Sequence, residues 1–477
     1  MHRPTGTATF KHALCVYPYR RELNDAGFFP PLGLEFIAAV ARPHVESLDL
    51  IDLRMERGRT TDFLRPQTDL VCFSVNWDIG QDFLAGEIRS VPPGVLTIVG
   101  GRHATECPDR WLKEFPNVDA VVRGDGEEAM EEICRGLPME RIAGLSFRRD
   151  GRIHHNPNRM LGKVQDDLYP DRRLRRCAYV MKIKGASTGL KIDSIATSRG
   201  CPFNCTFCSF NRNPWGEKRG WTARSPESVV DELAEMEARI VAFTDDLFTH
   251  DMERADRICD LILSRGIRKK YIVNARLEIA RRPDVLRKME RAGFFMLLLG
   301  VESAHDKTLR SMRKGFDVAR IREYFQVLRH SRMILHGYFI LGCIGESVDD
   351  ILRIAPFAHE LGLDTLGLSG LRYSPYSGLD ELVAGSPGYH IASSGKIYSD
   401  HCSAADLRRL RQRIQLQFYT PAQIARIARK GLQAGAGGFL PGILPYVPRI
   451  AARLLTYFWQ RARRRARKRR ERQNKGE

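Results

Sequence analysis

Three closely spaced cysteines have the residue type and the spacing to hold a metal cluster. Cys201, Cys205 and Cys208 occur in the segment RGCPFNCTFCSF, with three and then two residues between them. Thiolates are soft ligands that suit iron–sulfur clusters or zinc. A closed zinc site needs a fourth ligand nearby, and the next histidine along the chain is His250. We therefore expect a four-iron cluster here, with one iron left for a small molecule.

A series of apolar runs after residue 190 would position this cysteine loop. The runs are DSIATSRG, IVAFTDD, YIVNARLE, FFMLLLGVES, LHGYFILGCIGE and DTLGLSGLRYSP, and amphipathic segments such as PESVVDELAEMEA separate them. A repeat of about 30–35 residues predicts βα units, here a partial βα barrel with fewer strands than a complete one. The C-terminal ends of such strands carry the chemistry, and the cysteine loop follows the first strand.

The C-x3-C-x2-C spacing at the opening of a βα barrel, with Phe207 before the last cysteine, resembles the radical SAM superfamily. The resemblance implies a [4Fe–4S] cluster on the three cysteines and S-adenosylmethionine (SAM) as the small molecule. It implies SAM contacts at two further strand ends, namely Asp245, Asp246, Gly300, Glu302 and Ser303. The segment GCIGES resembles the family's G-x-P-G-E-T, although Ile344 replaces the usual proline. No catalytic residue that acts on the substrate can be assigned.

Residues 11–150 show a second alternation of strands and helices. HALCVYPY, VESLDLIDL, DLVCFSV, GVLTIVGG and VDAVVRG read as strands, and LEFIAAVAR and EEAMEEICRGL read as helices. The pattern predicts an α/β fold with a doubly wound, Rossmann-like sheet that binds its ligand at the carboxyl ends of its strands. The glycines in this segment do not form the six-residue dinucleotide fingerprint, so a nucleotide cofactor is not predicted.

The order of PPLGLEFIAAVA, VGGRHAT and VDAVVRGDGEEA resembles the cobalamin-binding domains that are fused to radical SAM barrels. The D-x-H-x-x-G motif that supplies an axial histidine to cobalt does not occur here, and the resemblance implies a corrinoid bound without that histidine. The implied cobalamin contacts lie in the loops at the strand ends, namely Ser74, Val75, Asn76, Gly100, Gly101, His103, Gly124 and Gly126. The alternative is a domain that has lost its cofactor and only packs against the barrel.

The overall composition is that of a water-soluble globular protein. The chain has 477 residues, of which 43% are hydrophobic and 28% charged, and this excludes disordered, collagen-like and polytopic membrane proteins. No uncharged apolar run reaches the ~18–20 residues of a membrane span, and the N-terminus lacks a signal-peptide core. Eleven cysteines, an odd number with three of them bunched, favour a reducing cytoplasm and metal ligation.

The positive charge is concentrated at the C-terminus. The net charge is +19, and residues 461–477 contain ten Lys or Arg and two Glu. Immediately upstream, Leu454, Leu455, Phe458 and Trp459 form one face of a predicted amphipathic helix. An apolar face beside a polybasic run predicts peripheral contact with an anionic membrane. A solvated tail and a nucleic-acid patch are the alternatives, although no RNA-binding domain is evident.

The sequence thus predicts five segments and one class of enzyme. The segments are a cobalamin-binding-like domain at 1–150, a linker at 151–190, a radical SAM partial barrel at 191–385, a helical region at 386–435 and an amphipathic helix with a basic tail at 436–477. The resemblance is closest in type to the hopanoid C-3 methylases and the anaerobic magnesium-protoporphyrin cyclases. It implies a methyltransferase that acts on an unactivated carbon and takes electrons from a flavodoxin or ferredoxin. The predicted membrane contact favours a hydrophobic or lipid-like small molecule as the substrate. The alternative is a radical SAM cyclase, oxidase or C–C bond-forming enzyme in which cobalamin donates no methyl group.

Overall fold

The structure of the protein is a computed structural model. It describes residues 9–20, 29–77, 81–160, 164–183, 186–208, 216, 218–373, 377–392, 394–435, 437, 445 and 448. Structural statements below concern these residues. The predicted amphipathic face at residues 454–459 and the basic run at residues 461–477 lie outside them.

The N-terminal part of the chain forms a seven-stranded sheet in the order β2-β1-β3-β4-β5-β6-β7. Its strands are β1 Phe10–Tyr17, β2 Val45–Asp52, β3 Thr68–Ser74, β4 Leu96–Gly100, β5 Ala120–Val122, β6 Leu145–Arg149 and β7 Arg152–His155. β1 to β5 pair in parallel, and β6 and β7 are antiparallel additions at one edge. In an open sheet of this order the ligand binds where the strand order reverses, next to β1 and β3.

Helices cover both faces of this sheet, as a doubly wound fold requires. They are α1 Leu32–Ala41, α2 Gln81–Arg89, α3 Arg102–Glu106, α4 Pro108–Glu114 and α5 Glu127–Cys134. Alternate residues of each strand enter separate apolar clusters on the two faces, with Ala13 and Cys15 in one and Leu14 and Val16 in the other. A strand that is buried on both faces is continuously apolar, which is why these strands were recognisable in the sequence.

A second seven-stranded sheet has the order β16-β15-β14-β13-β12-β9-β8. The strands of this half of the chain are β8 Val180–Ile183, β9 Ala186–Ile195, β10 Ser198–Arg199, β11 Thr222–Ala223, β12 Ile240–Phe243, β13 Lys270–Ala275, β14 Phe294–Glu302, β15 Ile334–Leu341, β16 Thr365–Gly370, β17 Tyr389–Ile391 and β18 Ile397–Ser399. β9 and β12 to β16 are parallel. These are the predicted strands, so the partial barrel is confirmed.

Helices pack on the outer face of this second sheet and continue beyond it. They are α6 Pro226–Glu235, α7 Met252–Ser264, α8 Pro283–Ala292, α9 Asp306–Ser311, α10 Val318–Leu328, α11 Val348–Leu352, α12 Ile354–Leu361, α13 Leu379–Ala384, α14 Ala404–Phe418 and α15 Pro421–Gln433. The last helix is tied to the barrel because Lys430 Nζ lies 2.6 Å from the buried Asp364 carboxylate. The helical C-terminal extension is thereby part of the fold.

The segment predicted as a linker, residues 151–190, carries strands. β7 extends the first sheet and β8 forms the antiparallel edge of the second sheet. β7 has mostly exposed side chains, and an edge strand without a buried face gives no apolar alternation. Between these strands Arg175 contacts Glu35 at 2.7 Å and Asp193 at 2.8 Å. This segment therefore binds the two sheets together. The domain boundaries stay predictions.

Candidate functional site

A cavity of about 370 Å³ lies at the carboxyl edge of the first sheet and reaches the barrel. Six of the predicted cobalamin contacts line it, namely Ser74, Asn76, Gly100, Gly101, Gly124 and Gly126. From the barrel half of the chain, Arg199, Arg219 and Asp246 also line it. The strand-end loops of one domain and the loops around the cysteine motif of the other therefore enclose one space.

The wall of this cavity between β3 and β4 depends on Gly101, which has φ of 101°. A Cβ atom on Gly101 would lie 2.7 Å from the Val75 carbonyl oxygen and 2.8 Å from Asn76 Oδ1. Asn76 Oδ1 accepts a hydrogen bond from the Arg102 amide, and Asn76 Nδ2 donates one to Ser74 Oγ. Only glycine permits this close approach at positive φ. The resulting wall of backbone and small polar groups fits a large flat macrocycle.

Two of the predicted cobalamin contacts do not line the cavity. Val75 is fully buried in the apolar cluster on the other face of the sheet. Successive residues of an extended chain point to opposite sides, so Val75 cannot share the cavity side with Ser74 and Asn76. The His103 ring packs edge-on against Trp111, with 5.6 Å between ring centroids. The structure therefore does not bring the side chains of Val75 and His103 to the cavity with the other six predicted contacts.

The floor of the cavity is apolar and sulfur-rich, and the sequence analysis missed it. Cys72, Ile98 and Val122 contribute from β3, β4 and β5, and Met130 contributes from α5. The Cys72 thiol lies 3.9 Å from the Met130 sulfur. Strand periodicity was the available signal, because Cys72 and Ile98 precede Ser74 and Gly100 by two residues and must share their face.

Ion pairs hold the rim of the cavity closed between the two domains. Arg219 contacts Asp125 at 2.7 Å, and Arg199 contacts Asp125 at 3.6 Å and also pairs with Glu127. Burial opposes ionisation of Glu127, yet Arg199 holds its pKa below the usual value. Because Arg199 directly precedes the cysteine loop, this network fixes that loop against the first domain.

The adjacent carboxylates at the end of β12 have different environments. Asp245 is completely buried and accepts hydrogen bonds from the Thr197 amide at 2.7 Å and from the hydroxyls of Thr197 and Ser198 at 2.5 and 2.7 Å. Asp246 lines the cavity and accepts a hydrogen bond from the Gly200 amide at 2.8 Å. Burial raises the pKa of both carboxyl groups. The structure thus leaves Asp246 as the candidate SAM contact and gives Asp245 a structural role.

We expect Asp245→Ala and Asp246→Ala to affect different properties. Loss of Asp245 leaves three buried donors without an acceptor, which should lower the free energy of unfolding by about 3 kcal/mol. Asp246→Ala should change stability by less than about 1 kcal/mol and raise the KM for SAM. Denaturant unfolding and SAM-cleavage kinetics of the two variants, compared in parallel, check this. Equal destabilisation with unchanged KM would contradict the assignment.

The cysteine loop is held from both sides by other parts of the barrel. Gly200 has φ of 87°, and a Cβ atom there would collide with the Gly220 carbonyl oxygen. The Thr206 amide donates to the Met312 carbonyl at 3.0 Å. The Arg276 guanidinium lies 3.6 Å from the centroid of the Phe203 ring. The loop is therefore fixed by residues from β13 and from the segment after α9.

The three cysteines lie on this one loop, with Cys205 buried and Cys201 and Cys208 half-buried. Burial raises the pKa of the Cys201 thiol. Within the described part of the chain no group of three or more His, Cys, Asp or Glu side chains stands in an arrangement that could hold a metal ion. The donor set, three thiols on a loop anchored at both sides, fits a soft iron–sulfur ligand role. Their ligation of the cluster stays a prediction.

The end of β14 carries a strained residue, Glu302, which was predicted as a SAM contact from the resemblance to the radical SAM superfamily. Glu302 has φ of 71°, and its carboxylate lies 2.8 Å from Lys314 Nζ in a nearly buried pair. A Cβ atom on Gly300 would approach both groups to 2.5 and 2.7 Å. Ser303 Oγ donates to Glu346 Oε1 at 3.2 Å, which joins this loop to the GCIGES loop. Positive φ in a non-glycine residue persists only where the surroundings enforce it.

Lys314 and Arg276 belong to this site, and the sequence analysis missed both. Lys314 neutralises Glu302, and Arg276 donates a hydrogen bond to the Lys314 carbonyl at 2.9 Å. Arg276 stands at the end of the predicted strand run YIVNARLE, but neither it nor Lys314 was predicted as a site residue. Their contribution arises from the return of the chain after α9 towards the cysteine loop, which has no local sequence signal.

Two family models match the chain. The model of the B12 binding domain matches residues 23–134, and the model of the radical SAM superfamily matches residues 195–358. The first range contains β2–β5 and begins after β1, and the second contains the cysteine loop and the strands from β12 to β15. The two matched ranges therefore coincide with the two halves that enclose the cavity.

The relatives have low identity and extend over both domains. An uncharacterized methyltransferase from Pyrococcus horikoshii is 27% identical over 350 residues, which is 70% of this chain and 74% of that protein. The anaerobic magnesium-protoporphyrin IX monomethyl ester cyclase of Rubrivivax gelatinosus is 25% identical over 61% of this chain and 54% of that protein. The hopanoid C-3 methylase of Methylococcus capsulatus is 27% identical over 63% of this chain and 58% of that protein. The chain thus spans little more than half the length of the last two relatives.

Solved structures show the same fold. The radical SAM methyltransferase TsrM from Kitasatospora setae, solved with cobalamin and a [4Fe–4S] cluster, superposes with a TM-score of 0.66 at 17% identity, over 87% of this chain and 90% of that chain. A B12-binding domain and a radical SAM barrel around one cavity define an enzyme of the cobalamin-dependent radical SAM class. The chain belongs to that class, and its cofactors are a [4Fe–4S] cluster, SAM and cobalamin. The predicted fold class is likewise confirmed.

Proposed function

We propose that this enzyme transfers a methyl group to an unactivated carbon of a hydrophobic small molecule. The observation that carries the proposal is the shared cavity, which is lined by Gly100 and Gly101 on one side and by Asp246 on the other. A corrinoid on the glycine wall and SAM beside Asp246 would meet at this cavity. Chemistry that needs both cofactors at one carbon requires such a shared space.

In this proposal the protein binds and orients while the cofactors perform the difficult steps. When bound, the cluster and SAM supply a 5′-deoxyadenosyl radical, and cobalamin supplies the methyl group. Cys201, Cys205 and Cys208 would hold the cluster, and Asp246 with Ser303 and Glu302 would contact SAM. The ion pairs of Arg199 and Arg219 join the two domains at the rim of the cavity and so hold the two cofactor sites next to each other.

The interior surface of the barrel supports a hydrophobic substrate. Ile272, Met296 and Leu298 are half-buried and alternate with residues such as Val273 and Leu297 that enter the core behind the sheet. Because strand residues alternate between faces, the half-buried set faces the barrel interior. The Tyr338 side chain is 39% exposed and lies on the same face of β15 as His336. This interior offers apolar area with few polar groups, as small-molecule sites do.

Transfer of an isotopically labelled methyl group from SAM tests the proposal. The reconstituted enzyme is incubated anaerobically with methyl-labelled SAM, a chemical reductant and lipid extracts, and the extracted products are analysed by mass spectrometry. A new product with the label on carbon supports methyl transfer. Substrate conversion without label would instead identify a cyclase or another radical reaction. Absence of 5′-deoxyadenosine under all reducing conditions would refute both.

We further propose a small protein reductant, such as a flavodoxin or ferredoxin, and peripheral membrane contact through the basic C-terminus. The support for membrane contact is the sequence of residues 454–477, in which an apolar face precedes the basic run. Within the described residues, no helix has the length and apolar character needed to cross a bilayer. An RNA substrate has no supporting feature in the described fold.

The pH dependence of stability should report on His336. Burial lowers the pKa of His336 to about 4, below its ordinary value, so the folded state favours the neutral ring. Its stabilisation is therefore complete above about pH 6.5 and is lost as the pH falls towards 4, by about 3 kcal/mol. Unfolding free energies of the native protein and His336→Gln between pH 4 and 7 check this. The difference between them should shrink as the pH falls, and a constant difference would contradict it.

A further inference from the structure

A second cavity lies at the opposite end of the barrel, where β12, β13 and β14 begin. It has a volume of about 220 Å³ and is lined by the residues just before or at the start of these strands. Five of them are cationic, namely Arg239, Arg268, Lys269, Lys270 and Arg291. No Asp or Glu occurs among the described residues that line it. A concave cluster of cations without acidic neighbours in its lining has the chemistry of an anion site.

The cations of this cavity form a fixed base and an accessible rim. Lys269 Nζ donates to the Ala238 carbonyl at 3.2 Å, and Lys270 Nζ donates to the Ala434 carbonyl at 2.6 Å. Burial lowers the pKa of both lysines. Arg268 and Arg291 are exposed at the rim. The carboxylate of Asp193 acts to raise the pKa of Lys269, but Asp193 already forms ion pairs with Arg172 and Arg175.

The chain leaves the described fold at this same cavity. Gly435 is one of the lining residues, and a Cβ atom there would come within 2.5 Å of Lys270 Nζ. The residues that follow contain the apolar set at 454–459 and the basic run at 461–477. The segment that leads into this C-terminal sequence therefore starts at the basic cavity.

We propose that this cavity binds the phosphate of an anionic lipid headgroup and thereby docks the base of the barrel on a membrane. Guanidinium groups bind phosphate oxygens in two-point geometry, which suits Arg268 and Arg291. Phosphate is also present in soluble compounds, but the adjoining apolar and polybasic sequence favours a lipid source. The proposal deepens the proposed function by naming the partner surface of the enzyme.

The position of the cavity separates docking from catalysis. β13 runs for six residues, Lys270–Ala275, between the basic cavity and the carboxyl edge, a distance of about 20 Å at ~3.3 Å per residue. The cofactor cavity would therefore stand away from the bilayer while the enzyme is docked. Loss of docking should leave turnover of a detergent-dispersed substrate unchanged, so failure of this inference is distinguishable from failure of the proposed function.

Vesicle binding by the full-length protein tests the proposal. Sedimentation with vesicles of phosphatidylcholine, with and without phosphatidylglycerol, is compared for the native protein and for Arg268→Gln/Arg291→Gln. We expect the native protein to bind only the anionic vesicles. The affinity of the double variant for them should be about 10- to 30-fold lower, because two cations near the membrane surface are removed. The matched control is Arg135→Gln/Arg257→Gln, whose native side chains are 59% and 57% exposed elsewhere. The affinity of this control variant for anionic vesicles should fall by less than about 2-fold.

Two outcomes would overturn the proposal. Equal vesicle binding by Arg268→Gln/Arg291→Gln and by the control would show that the cavity takes no part in membrane docking. Titration of inorganic phosphate at constant ionic strength, followed by calorimetry, supplies the second arm. Binding of free phosphate that is lost in Arg268→Gln/Arg291→Gln, together with unchanged vesicle binding, would assign the cavity to a soluble phosphate compound.

Discussion

Replacement of Cys205 by alanine is expected to abolish SAM cleavage and to remove the iron–sulfur cluster. Cys205 is the middle cysteine of the loop and only 8% exposed. Loss of a hydrogen-bonding partner of a metal ligand typically costs about 10–100-fold, so loss of a ligand should cost at least about 100-fold in 5′-deoxyadenosine formation. Iron content after anaerobic reconstitution, the visible absorption of the cluster and the rate of 5′-deoxyadenosine release are the measurements.

Cys177→Ala is the matched control for that experiment. Cys177 is half-buried, lies outside the cysteine loop, and belongs to the segment between the two sheets. This variant should keep about four irons per chain and the native cleavage rate. Retained cleavage in Cys205→Ala, or equal loss of iron in both variants, would contradict the assignment of the cluster to Cys201, Cys205 and Cys208.

Substitution of Gly100 by leucine should remove cobalamin while leaving the cluster in place. Gly100 pairs with Ser74 on β3, and the nearest atom to a Cβ added at Gly100 is Val122 Cβ at 3.8 Å. Gly100 and Ile98 are two residues apart on β4 and share the cavity face. A leucine side chain therefore enters the cavity with little strain on the sheet. Bound corrinoid should fall from about one per chain to near zero.

The expected signature of Gly100→Leu is a separation of two activities. Cluster iron and 5′-deoxyadenosine formation should remain, whereas transfer of a labelled methyl group should be lost. Gly431→Leu, at a position on α15 where a Cβ atom meets nothing within 4 Å, is the control for the size of the substitution. A Gly100→Leu protein that still binds about one corrinoid would refute the location of the cofactor. Parallel loss of iron would show a general folding defect instead and equally contradict the prediction.

The sequence by itself determined the strands, their order along the chain and the class of cofactors. Strands such as β3 and β14 are buried on both faces or against a core, so their apolar runs are readable without tertiary information. The spacing of Cys201, Cys205 and Cys208 specifies soft metal chemistry because all three ligands lie on one short loop. Both patterns involve residues that are close together in the chain, so they can be recognised without the tertiary structure. The same reasoning failed for β7 and β8, whose exposed or edge positions leave no apolar pattern.

Only the tertiary structure decided which of the predicted residues face the cofactors. Asp245 and Asp246 are adjacent and chemically identical, yet one is enclosed by Thr197 and Ser198 and the other lines the cavity. Val75 points to the other face of the sheet because successive strand residues alternate in direction. The His103 ring packs against the Trp111 ring and does not line the cavity.

Lys314, the floor residue Met130 and the basic cavity at the base of the barrel depend in the same way on contacts between distant segments. Lys314 meets Glu302 only because the chain folds back after α9, and Met130 reaches the cavity from α5. The basic cavity collects cations from the starts of three strands that the sequence separates by tens of residues. Side-chain direction and long-range contacts follow from packing between distant segments. Local sequence patterns therefore do not predict them.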